Sequence, residues 1–112
     1  MLGRARRRYI LAKIDSEMMP SERDFQKLLW SSIIRLFGEY GASHADISLI
    51  EYNREARYAI IRCQHNALPM VRAALAAILK ADGDRISVHV LLVSGTLKAL
   101  RRKMQNIFIC GE

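Results

Sequence analysis

This sequence has no long apolar run. Its two longest, Leu68–Leu79 and Ile86–Val93, are broken by polar residues and fall short of the roughly 18 needed to cross a bilayer. That argues against an integral membrane protein. No apolar stretch follows the arginines near Met1, as a secretory signal would require, and the start does not fit a myristoylation pattern. Export is not expected. Cysteine is scarce: Cys63 and Cys110 lack the close pairing of a metal site or a small disulfide scaffold, and both read as reduced, cytoplasmic thiols. With 2 prolines, 6 glycines and no Ser, Gln or Pro tract, nothing dilutes the apolar content toward disorder.

What is present suits one folded domain. The chain has 112 residues, 51% hydrophobic and 26% charged, near the globular average and the commonest domain size. Its net charge of +7 is unevenly placed. Tyr9 to Leu97 carries ten basic and ten acidic side chains and sums to zero. The excess comes from Arg4, Arg6, Arg7 and Arg8 at one end and Lys98, Arg101, Arg102 and Lys103 at the other, against Glu112. A neutral body with cationic ends suits a polyanion, because neutralising phosphates releases condensed counterions. A solubilising tail is the alternative for the first cluster. The second lies in a segment of helical period.

Arg8 to Asp15 alternates, with Ile10, Ala12 and Ile14 opposite Tyr9, Leu11 and Lys13, the period of a half-buried strand. Ser21 is placed to cap a helix at the amide of Asp24, and Phe25, Leu28, Leu29, Ile33, Leu36 and Phe37 give its stripe. Gly38 and Gly41 are expected to end it. Ala45–Tyr52 and Arg57–Cys63 read as a hairpin around Asn53–Ala56. Asn66 precedes a second helix, with Pro69 in its first turn, a stripe of Leu68, Val71, Leu75, Ile78 and Leu79, and Asp82-Gly83-Asp84 as its stop. Arg85 to Val93 alternates Ile86, Val88, Val90 and Leu92 against Ser87, His89, Leu91 and Val93. Ser94-Gly95-Thr96 then opens a third helix, with Leu97, Leu100, Met104 and Ile107 facing inward.

The order β-α-β-β-α-β predicts an α+β protein: a ferredoxin-like α/β sandwich with a four-stranded antiparallel sheet, two helices on one face, and an added C-terminal helix. The boundaries are a basic N-terminal extension over 1–7, a single domain over 8–106 and a short apolar tail over 107–112.

Chemistry of bond cleavage finds little support. His44, His65 and His89 fall in separate elements without metal-ligand spacing, so no metal site is expected. Ser94 at a strand-to-helix turn lacks the glycine two residues before it that a nucleophile elbow needs. No glycine-rich phosphate loop occurs, and no catalytic residue is assigned. Ser94-Gly95-Thr96 has two readings that are mutually compatible: a helix cap, or a seat for one phosphate at a helix N-terminus. Trp30, Ile34 and Phe37, at i, i+4 and i+7, widen the first helix's stripe; they read as core or as a face for a protein partner, to which Ile107 and Phe108 would add.

The run Val93-Ser94-Gly95-Thr96-Leu97-Lys98, followed by Arg101-Arg102-Lys103, resembles the signature region of the ribonuclease P protein component 2 family of archaea and their eukaryotic relatives. Arg8-Tyr9-Ile10, Trp30, Gly38-Glu39-Tyr40-Gly41 and Ile60-Ile61-Arg62-Cys63 resemble it in the same order, over roughly Arg8 to Met104. The resemblance implies a sandwich like that of an RNA-recognition domain, and a cytoplasmic, non-catalytic subunit. Its partners would be ribonuclease P RNA and protein component 3, often as two copies of each, in a holoenzyme that removes the 5′ leader from precursor tRNA. The magnesium would belong to the RNA, and this chain would bind no cofactor. Arg8, Ser94, Gly95, Thr96, Lys98, Arg101, Arg102 and Lys103 would serve RNA contact; Arg6 and Arg7 join them on charge alone.

Two rivals share the fold. A free-standing single-strand RNA binder would stack bases on Tyr9 and Tyr58 across the open sheet face. A regulatory domain would bind a metabolite and dimerise through the sheet, with no salt dependence.

Overall fold

A computed structural model of the chain describes residues 6–81 and 83–110, with the side chains of 108–110 left out. Arg4, Asp82 and the side chain of Phe108 thus lie outside the described residues.

The alternation read at the start of the chain produces β1 (Arg7–Ser16). Ile10, Ala12 and Ile14 are buried in one layer, and Leu11 is buried in another on the opposite face. β1 is central. It pairs antiparallel with β3 (Tyr58–Gln64) on one side and β5 (Asp84–Ser94) on the other. β2 (Ser48–Asn53) and β4 (Lys80–Ala81) add the edges, giving the order β2-β3-β1-β5-β4. The sheet therefore has five strands, not four. The added strand exists because α2 (Leu68–Ala76) stops short of the expected Asp82-Gly83-Asp84. The chain instead buries Ile78, exposes Leu79, and folds Lys80–Ala81 back on Arg85 and Asp84 through Gly83 at φ 87°.

α1 (Glu22–Ala45) starts as expected, with the Ser21 hydroxyl accepting from the Asp24 amide at 3.2 Å. It does not end at its glycines. Gly38, at φ 79° and ψ 173°, kinks it, and the helix resumes to Ala45. The second segment is held because Gly41, Ala42 and Ala45 are buried and Gly41 lets α2 approach: a Cβ there would sit 3.7 Å from Met70 Cε. Asp46, left-handed at φ 49°, caps it, so β2 begins at Ser48 and not at Ala45.

α1 and α2 cover one face of the sheet, joined by a 2.7 Å hydrogen bond from the buried Ser32 hydroxyl to the Ala74 carbonyl. α3 (Leu97–Cys110) covers the other, its Leu100 and Met104 packing on Leu11 and Ile60.

Two irregularities meet at that contact. β5 has an extra residue, Leu91, between the pairs Ala12–Val90 and Leu11–Leu92. β2 has an extra residue, Ile50, between Leu49–Ile61 and Glu51–Ile60. Each bulge reverses the side-chain alternation beyond it. The simple alternation expected for β5 is corrected accordingly. Leu92 turns to the α3 side and Val93 to the α1/α2 core.

Candidate nucleic-acid interface

The antiparallel register gathers both sequence-distant basic clusters at one end of the sheet. β1 begins where β3 and β5 end, with Arg7 opposite Gln64 and Tyr9 opposite Ser94. Arg6, Arg7 and Arg8 thereby lie at the same end of the sheet as Ser94–Lys98.

Arg6 is exposed, and its carbonyl accepts from the His65 amide at 2.9 Å, which continues the line of β1. Arg7 reaches Asp46 at 3.9 Å, both side chains well exposed, a pair of small energetic worth. Arg8 is half-buried on the α1/α2 side, beside the turn: a Cβ on Gly95 would lie 3.6 Å from its Nη1. Ser94 is buried at the end of β5. The Thr96 hydroxyl accepts from the Ala99 amide at 3.1 Å. The capping reading of Ser94-Gly95-Thr96 is thus realised by Thr96.

Lys98, Arg102 and Lys103 are exposed on α3. Arg101 is exposed too, but pairs with Glu51 of β2 at 2.9 Å. The Tyr58 hydroxyl donates to the same carboxylate. That hydroxyl is the largest influence holding Glu51 below the usual carboxylate range; partial burial opposes it and Arg101 adds to it. Burial, then the Glu51 hydrogen bond, pushes Tyr58 up. This trio fastens α3 to the sheet. Sequence reading missed it because Tyr58, Glu51 and Arg101 converge only once the face taken by α3 is known.

Tyr9 and Tyr58 do share one face of the sheet, but it is the face that α3 covers, and both pack at that contact. Tyr58 is half-buried there, tied to Glu51, so the face does not present two free rings for stacking.

Trp30 and Phe37 are exposed on α1, at 44% and 39%, whereas Ile34 packs partly buried against the core. Trp30 borders a groove of about 460 Å³ with Gln26, Leu29, Ile47, Ser48 and Leu49, between α1 and edge strand β2. Ile107 is half-buried on α3, away from that groove. The side chains expected at one partner face therefore lie on two elements.

Among the described residues no three His, Cys, Asp or Glu side chains converge as metal ligands, and no helix is long and apolar enough to cross a membrane. Cys63 is buried, which pushes its thiol up to about 11 against a smaller opposing effect of Arg8. It is a poor thiolate nucleophile.

Residues 8–105 match the model of the Rpp14/Pop5 family. The chain is 32% identical over 105 residues to ribonuclease P protein component 2 of Pyrococcus furiosus, covering 94% of this chain and 88% of that protein. It is 37% identical over 100 residues to the protein of the same name from Methanosarcina mazei, covering 89% and 84%. In structure it is similar to a chain of yeast ribonuclease MRP determined by cryo-EM, with a TM-score of 0.69 over 98% of this chain and 99% of that one. At 14% identity that likeness is one of fold.

Proposed function

The chain belongs to the Rpp14/Pop5 family, and from that premise we propose that it is a protein subunit of ribonuclease P that binds the enzyme's RNA and supports its catalytic fold. The observation that carries the RNA-binding part is the placing of Arg6, Arg7 and Arg8 at the same end of the sheet as Ser94–Lys98, continued along α3 by Arg102 and Lys103. Arginine and lysine so placed hold phosphates without reading bases, and a folded RNA is recognised largely through its shape and backbone.

In this reading the chain breaks no bond and holds no cofactor. The magnesium that drives cleavage of precursor tRNA is held by the RNA. The ferredoxin-like arrangement of β2, β3, β1 and β5 serves as a frame that presents cations. Protein component 3 is the protein partner, Trp30 and Phe37 supply exposed apolar surface for it, and two copies of each subunit would assemble in the cytoplasm.

The test is cleavage of precursor tRNA by ribonuclease P RNA at moderate magnesium, with and without this chain and component 3. Activity that appears only when both proteins join the RNA is expected. No stimulation, with both proteins folded and the RNA active alone at high magnesium, would overturn the subunit role.

A further inference from the structure

One guanidinium on the α3 side of the sheet has no ionic partner among the described residues. Arg62 stands in a row of cross-strand neighbours on that face: Ser48 of β2 lies opposite Arg62, Arg62 opposite Tyr9, and Tyr9 opposite Ser94. Arg62 donates from Nη2 to the Ser48 hydroxyl at 3.2 Å, while its Nε, shut off from water, reaches no acceptor among the described residues. Of the acids nearest its partner Ser48 in sequence, Asp46, the α1 cap, pairs with Arg7, and Glu51 of β2 with Arg101 and Tyr58.

A half-buried cation that uses one of its five donors on a neutral hydroxyl is an unusual thing to keep, because shielded polar groups ordinarily find partners. Tyr9 beside it is half-buried against the cluster of Leu11 and Leu100. An aromatic ring adjoining an unneutralised guanidinium matches the two parts of a nucleotide, a stackable base and an anionic phosphate.

We propose that Tyr9, Arg62 and Ser48 form a seat for one unpaired RNA nucleotide, the base resting on Tyr9 and the phosphate drawn to Arg62. This rests on the RNA-binding reading above and extends it from the basic end and the outer side of α3 to the sheet face beside that helix. It also separates Tyr9 from Tyr58.

The experiment titrates the full chain, at two salt concentrations, with a labelled single-stranded uridylate of about twelve nucleotides and with an abasic oligomer of equal length. The wild type is expected to prefer the uridylate by about tenfold, the worth of a stacked base. Tyr9→Leu should erase that preference and leave abasic binding intact, while Tyr9→Phe keeps it. Arg62→Gln should weaken both oligomers and flatten the salt slope by about 0.7. Thermal unfolding of each variant checks that the fold survives. If folded Tyr9→Leu and Arg62→Gln bind like the wild type while Lys98→Ala with Arg102→Ala does not, the seat is wrong and the broader reading stands. If the wild type binds neither oligomer nor ribonuclease P RNA, both fall together.

Discussion

Cys63 lies opposite Arg8 on the buried side of β3, and its thiol stays protonated because burial there disfavours the thiolate. With the folded value raised from 9.0 to about 11, the unfolded chain releases the proton first. Stability is therefore untouched below about pH 9 and falls as pH rises from there toward 11. In a Cys110→Ser variant, a thiol reagent at pH 8 should modify Cys63 only at the rate at which the protein opens; rapid labelling of the native chain would contradict its burial. Glu51 has the opposite sign. Its folded value is depressed, mainly by the Tyr58 hydroxyl, so its contribution is complete above the ordinary carboxylate value and fades as pH falls below it. A double-mutant cycle of Glu51→Gln and Arg101→Gln, read by urea denaturation at pH 7, should return a coupling of about 0.2 to 1 kcal/mol, and that coupling should vanish in acid. Neither residue's role is legible in the sequence. Arg101 reads there as one cation in a run of three, and all three are exposed; its pairing with Glu51 sets it apart.

The kink in α1 gives two glycines different reasons to be glycine. Gly38 has the left-handed φ of 79° with open space around it, so Gly38→Ala should cost about 1 to 2 kcal/mol through backbone strain alone. Gly41 has an ordinary φ, but a Cβ there would stand 2.9 Å from Phe37 Cβ. Gly41→Ala should cost about 1 to 3 kcal/mol through crowding, despite alanine's better helix propensity. Chemical denaturation of both variants checks this; a neutral Gly41→Ala would mean that Phe37 and Met70 yield freely. The elements that were legible are those with a local cause: the Ser21 cap, the alternation of β1, the hairpin around Asn53. Where an outcome depended on distant packing, the sequence misled. Gly38 and Gly41 look like a stop, and only the burial of Gly41, Ala42 and Ala45 explains why the helix resumes. Leu79 looks like the last residue of a stripe, yet the helix has already ended at Ala76.

Over the whole molecule, charge that is split between the two ends of the chain is brought to one end of the sheet through strand register. Replacing Lys98, Arg102 and Lys103 together by alanine should weaken RNA binding and flatten its salt slope by roughly 0.7 to 0.9 for each phosphate no longer neutralised. An unchanged slope would remove α3 from the interface. Those cations could be named from the sequence because runs of basic residues stand out in it. Arg62 could not, since its distinction is the lack of an ionic partner in space. β5 also carries one extra residue, Leu91. Without it the ladder could close unbroken, Ala12 on Val90 and Leu11 on Leu92, with every strand in its present place. What would alter is the bearing on which the chain leaves the sheet three residues later, because a bulge adds twist and bends its strand. A chain shortened by that one leucine would keep β5 paired to β1 but set the start of α3 at odds with the seat that Leu11 and Ile60 give Leu100 and Met104.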